Sequence, residues 1–194
     1  MIINYSYPIR PKTIYSAIIF VYMKPKKAKN RRPWNRVSQQ IYSLSTLDAN
    51  GKINMNIVSY ATAATLKPKS YVIAVYRGTK TYSNIFDKSA NEYFLLQGLA
   101  EPQSKFVRPL GQKSGLRYDK AKYLAKQNIS FYSLEGSDYG YLPDCGFVIA
   151  CKVTSTISYG DHDLITADVV KTVEDNSTAK LLTTLDLIEQ GIIL

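Results

Sequence analysis

Hydrophobic and polar positions alternate along this chain in short runs broken by turn residues, a pattern of strands rather than long helices. Ile41–Leu47 and Ile53–Ala61 are two such runs, with Asn50-Gly51 between them. Asn-Gly is a strong hairpin signal because both central residues of the tight turn take positive φ, so the segment predicts a β-hairpin. After Pro68 a third run, Tyr71–Tyr76, has the aromatic and β-branched content of a buried or half-buried strand and stops at Arg77-Gly78. Leu142–Val153 reads as one long strand, which Ser158–Asp163 turns back into Leu164–Val173 as a second hairpin. In all, strands are predicted from Gln40, Asn54, Tyr71, Tyr93, Phe131, Phe147 and Leu164. Helices are predicted at Thr81–Lys88, around Lys105–Leu110, at Asp119–Lys126 and at Thr184–Gln190. The fold class that follows is mainly β with short helices, closed or nearly closed into a barrel, because closure removes exposed sheet edges.

Composition narrows this picture. With 194 residues, 45% of them hydrophobic, the chain can bury one sizeable core, and its 16 tyrosines favour sheet. Gln97–Lys126 is expected to be loop and short helix. Within it Lys113-Ser114-Gly115 reads as a solvated connection that could instead cover a ligand or reach a neighbouring subunit, and Gly136–Gly140 reads as a turn. Cys145 and Cys151 lie in one predicted strand, on one face and about 20 Å apart, too far for a disulfide. They are expected to be structural thiols in a reduced cytoplasm, and with a single histidine no zinc or transition-metal cluster is expected.

The net charge of +10 is unevenly spread: Lys24, Lys26, Lys27, Lys29, Arg31, Arg32 and Arg36 hold seven positives, leaving about +3 on the rest. A barrel with a basic arm and Trp34 could bind single-stranded RNA by charge and stacking, although the predicted sheet interleaves no basic and aromatic residues on one face. Ala17–Met23 is too short to span a membrane and lacks a small-residue cleavage site. Residues 1–32 are read as a basic N-terminal extension to a domain over 33–194.

The local chemistry concentrates after Gly78. Thr79-Lys80-Thr81 leads into a short helix, and helix-start N–H groups, two hydroxyls and the charges of Arg77 and Lys80 suit a phosphate monoester. The same residues also make an ordinary capped helix with a basic turn, and no glycine-rich phosphate fingerprint accompanies them. No Walker A, no GxGxxG and no nucleophile elbow occurs. His162, the only histidine, sits in a turn, where such residues are usually exposed or locally hydrogen-bonded.

Several features occur together in order: Arg32-Pro33-Trp34-Asn35-Arg36, then Asn54-Met55-Asn56 running into Ser59-Tyr60-Ala61-Thr62. Lys67-Pro68, Thr81-x-x-Asn84-Ile85, Gly160-Asp161-His162 and a terminal segment from Leu182 to Gly191 follow. In these the chain resembles the flavin reductase-like family of FMN-binding split β-barrels, from about Pro33 to the C-terminus. The resemblance implies a split β-barrel of the FMN-binding type, with FMN in a groove near a homodimer interface. The isoalloxazine is expected beside Asn54, Asn56, Ser59, Tyr60, Ala61 and Thr62, and the phosphate at Arg77, Thr79, Lys80 and Thr81. His162 is the implied catalytic residue, positioning substrate or moving a proton. The implied function is an oxidoreductase taking electrons from NADH or NADPH, with a non-catalytic FMN electron carrier or an RNA-binding module as alternatives. The family begins shortly before its Arg-Pro-Trp element, so Met23 is a candidate natural start.

Overall fold

The computed structural model describes residues 38–86 and 92–193. The basic run, Trp34, the extension over 1–32, the Met23 start and the end of the first predicted helix at Asp87-Lys88 lie outside the described residues. The strands are β1 Tyr42–Leu47, β2 Ile53–Val58, β3 Ala61–Leu66, β4 Lys69–Tyr76, β5 Tyr93–Gly98, β6 Tyr132–Ser133, β7 Gly140–Tyr141, β8 Phe147–Tyr159 and β9 His162–Asp175. The helices are α1 Lys80–Phe86, α2 Ser104–Gln112, α3 Lys120–Lys126 and α4 Thr184–Glu189.

Seven strands form one antiparallel sheet in the order β2-β1-β5-β8-β9-β4-β3. Its two edge strands, β2 and β3, are consecutive in the chain and joined only by Ser59-Tyr60, so the barrel is split at that joint. The predicted single strand Ile53–Ala61 is corrected here. Val58 still pairs with Tyr42 of β1, but Tyr60 gives its carbonyl to the Ala74 N–H at 2.9 Å and Ala61 pairs with Ile73 of β4. The chain changes partner mid-run, which alternation cannot reveal.

The β1–β2 hairpin forms as expected, but with a different turn. Gly51 has φ +74°, whereas Asn50 is not in the left-handed region. The Asp48 carbonyl accepts from Gly51 N at 2.9 Å, and the Asp48 carboxylate accepts from Asn50 N and Lys52 N at 2.9 and 3.0 Å. The side chain of Asp48 thus stabilises the turn so that only the glycine needs positive φ.

Sheet alternation separates two cores. Tyr42, Leu44, Ile73, Val75, Phe94, Leu96, Cys151, Ile165 and Ala167 fill the barrel, and Tyr82, Ile85 and Phe86 of α1 pack against them. Leu47, Met55, Leu95, Val148 and Ala150 point to the opposite face, covered by Phe106, Val107 and Leu110 of α2, Leu124 of α3 and Leu187 of α4. The expected common face for the cysteines is therefore wrong: Cys145 belongs to the outer core and Cys151 to the barrel interior. Cys145 precedes β8, after Asp144 has turned the chain at φ +58°, so the strand period does not reach back to it. Both thiols are free and buried, and burial pushes each up to about 12.

Helix α2 runs through Pro109 to Gln112, longer than the predicted Lys105–Leu110. The lost backbone bond is tolerated because Phe106, Val107 and Leu110 share a buried face. The strand predicted from Phe131 shrinks to the two-residue β6, paired with β7 across the Gly136 turn. Among the described residues no helix is long and apolar enough to cross a membrane.

Candidate functional site

The junction of β4 and α1 organises the polar chemistry. Thr79 caps α1: its Oγ1 accepts from Tyr82 N at 3.1 Å and donates to the Tyr76 carbonyl at 2.8 Å. The inner side of the helix is locked to the β1–β2 hairpin, where Asn54 Nδ2 donates to Thr81 Oγ1 at 3.0 Å and Asn84 Nδ2 donates to Thr46 Oγ1 at 2.9 Å. Thr81 is fully buried, so its hydroxyl faces Asn54 rather than solvent.

Arg77 turns away from α1 toward β9. Its Nε and Nη2 donate to Asp163 Oδ1 at 2.9 and 2.5 Å, and Nη2 also meets Ser158 Oγ. Tyr82 Oη donates to Asp163 Oδ2 at 2.8 Å, and Tyr159 N donates to Oδ1 at 3.3 Å. These donors, the Arg77 guanidinium first, hold the Asp163 carboxyl down to about 2. The network fastens the β8–β9 turn to the start of α1.

Two clefts meet beside this junction. A smaller one, of about 190 Å³, is lined by Asn54, Asn56, Tyr76, Gly78, Thr79, Lys80 and Thr81, with Gly111–Gly115 and Lys120 opposite. A larger one, of about 350 Å³, is bounded by Asp48, Lys52, Asn54 and Lys80 on one side and by Gly115–Lys120 and Lys122 on the other. A separate shallow hollow of about 440 Å³ lies on the outer sheet face, where Ser59, Tyr60, Ala61 and Thr62 meet Val72, Ala74 and Leu164.

The expected site residues thus fall into two groups. Asn54, Asn56, Thr79, Lys80 and Thr81 border the polar clefts, while Ser59, Tyr60, Ala61 and Thr62 border the outer hollow. Arg77 lines neither. His162 stands between the groups, its ring 5.9 Å from that of Tyr60 and 5.3 Å from that of Tyr76. Its Nδ1 lies 2.7 Å from Asp161 Oδ1, an interaction that also holds the Asp161 carboxyl below the usual range.

Residues that alternation did not single out come from the middle segment. Lys120 is only 4% exposed, its Nζ donates to the Leu110 carbonyl at 2.5 Å, and burial lowers its ammonium to about 8. In sequence it is one lysine among several after the helix cap Asp119; only the packing of α3 against α2 and β2 buries it. Gly115 sits so close to β2 and α1 that an added Cβ would meet Asn54 Oδ1 at 2.1 Å. Among the described residues no group of three or more His, Cys, Asp and Glu side chains gathers around a point that could hold a metal ion.

The family described as Flavin reductase like domain matches residues 34–185 of the chain. Among solved structures, an FMN-binding protein from Thermus thermophilus with bound 1-cyclohex-2-enone is similar at TM-score 0.64 and 15% identity, over 80% of this chain and 82% of that one. An NADH:FAD oxidoreductase of Streptomyces globisporus is similar at TM-score 0.65 and 13% identity, over 81% and 93%. A flavoredoxin of Desulfovibrio vulgaris is similar at TM-score 0.62 and 17% identity, over 81% and 83%. These likenesses are to the split-barrel fold. No curated protein matches the sequence.

Proposed function

The chain belongs to the flavin reductase-like family, and from that membership we propose that it is an FMN-binding oxidoreductase taking electrons from NADH or NADPH to FMN or, through FMN, to an acceptor. One observation carries the reading: the polar, cation-lined clefts and the Tyr60, Tyr76 and His162 rings flank one β4–α1 junction. Those are the two chemistries needed for a planar ring system bearing an anionic tail. The donor set fits FMN on this ground.

Bound FMN would supply the hydride and electron chemistry. The chain's own residues would hold and orient it. Lys80 offers charge to the phosphate end; Asn54 and Asn56 offer amides in the same cleft. Ser59, Tyr60, Ala61 and Thr62 offer backbone and side-chain groups where the sheet is split. Thr79 and Thr81 hold α1 in place, and Arg77 acts through Asp163 to fix the β8–β9 turn. At that turn His162 has Nδ1 engaged by Asp161, which leaves Nε2 to orient the nicotinamide or move a proton.

A homodimer accompanies this reading. β3 is a sheet edge, exposed from Thr62 to Leu66, and it borders the outer hollow, a surface suited to a second copy of the chain. The domain is taken as 33–194, in the cytoplasm, where Cys145 and Cys151 stay reduced.

The visible absorbance of the purified protein is the first test, followed by NADH or NADPH oxidation with added FMN. A yellow protein that consumes nicotinamide is the expected result. A yellow protein that consumes none makes it an electron carrier. A colourless protein that retains RNA in a salt-dependent way overturns the reading.

A further inference from the structure

The two polar clefts share four wall residues: Asn54, Lys80, Gly115 and Lys120. Their carboxylates are already matched. Lys80 Nζ lies 3.5 Å from Asp48 Oδ2, and Lys52 Nζ lies 2.8 Å from Asp119 Oδ2. Lys120 has no carboxylate partner among the described residues, and only one of its three donors is used, on the Leu110 carbonyl. A buried ammonium without a counter-charge is costly, and an arriving anion offsets that cost. Burial has lowered its ammonium to about 8, and a nearby phosphate would favour the charged form and raise it again.

Two neighbouring polar groups of the junction are committed. The Arg77 guanidinium is held by Asp163 and Ser158, and the Thr81 hydroxyl is taken by Asn54. Above Lys120 the backbone at Gly115 presses onto the shared wall, where a Cβ would meet Asn54 Oδ1 at 2.1 Å and Lys80 Cβ at 3.0 Å. Gly115 therefore packs into the groove wall, while Lys113 and Ser114, which border the same cleft, remain exposed to solvent.

We propose that Lys120, with Lys80, is the seat of the ligand's terminal phosphate, an assignment that rests on the flavin reading above and moves the phosphate contact from Arg77 to the α2–α3 segment. The same chemistry could receive the 2′-phosphate of NADPH, so the test must separate the two. Apo-protein is titrated by fluorescence with FMN, with riboflavin, which lacks the phosphate, and with 2′,5′-ADP. Lys120→Gln should weaken FMN roughly tenfold or more while riboflavin binds as in the parent, which also shows that the variant folds. Lys80→Gln should shift FMN affinity in the same direction, and it serves as the test if Lys120→Gln does not fold.

Equal FMN affinity in parent and variants, or equal weakening of FMN and riboflavin, overturns the seat. Weakening of 2′,5′-ADP with FMN unchanged reassigns it to the nicotinamide side and overturns it as stated. Failure of the parent to bind either flavin is the failure of the flavin reading itself; parental affinities equal for FMN and riboflavin sink the phosphate seat alone.

Discussion

Asp163 joins three elements through one carboxylate: Arg77 at the end of β4, Tyr82 in α1 and Tyr159 in β8 all donate to it. An unfolded aspartate titrates near 4, roughly, whereas this one is held down to about 2. The native state therefore binds fewer protons than the unfolded state in that window. The stabilisation is complete above about pH 4 and is lost as pH falls toward 2. Arg77→Met removes its largest cause. The melting-temperature gap between parent and variant should be full near neutral pH, by about pH 6, and should close through the acid window; a gap constant with pH would show that Arg77 acts by packing alone. His162 is expected to behave differently. His162→Ala should lower turnover far more than FMN affinity, measured by steady-state kinetics beside flavin titration, and a parental turnover would remove it from the chemistry. That Arg77 is polar and close to α1 was legible from sequence; that its partner lies 86 residues away was not.

At the scale of elements, β5 and β8 show how a single small residue shapes the sheet. Gly98 stands opposite Phe147, and a Cβ at Gly98 would come within 2.4 Å of the Phe147 ring. That ring in turn packs edge-on against Tyr42, with centroids 6.3 Å apart. Gly98→Ala should cost about 1–3 kcal/mol through forced displacement of the ring. Denaturant unfolding checks this, and the double variant Gly98→Ala with Phe147→Leu should recover part of the loss. No recovery would place the cost in the backbone instead. The helix positions were readable because caps and apolar faces are local: Thr183 with Asp186 and Asp119 with Lys122 mark helix starts within one turn. The break of the second strand was not readable, since Ser59-Tyr60 carries no proline or glycine and the partner exchange is decided by β4.

For the whole molecule, the split between β2 and β3 leaves an edge that a second copy is proposed to cover. Thr62 is exposed on that edge and lines the outer hollow. Thr62→Arg should therefore convert a dimer to a monomer in light scattering, through charge repulsion and desolvation, with little change in the melting of the isolated barrel. A parent that is monomeric at working concentration, or a variant that stays dimeric, would place any interface elsewhere.

Sequence alone determined the alphabet of the fold: alternation set which residues of each strand face one core, turn residues set the hairpins, and local caps set the helices. It also placed polar chemistry at the β4–α1 junction, because Arg77, Thr79, Lys80 and Thr81 are contiguous. Tertiary structure decided which of those groups are free. Long-range pairing gave Arg77 to Asp163 and Thr81 to Asn54, and packing of α3 buried Lys120 at the seam of the two clefts. The reason is physical: periodicity reports which side of an element is apolar, whereas the availability of a charge depends on partners that only the folded split barrel brings within hydrogen-bond reach.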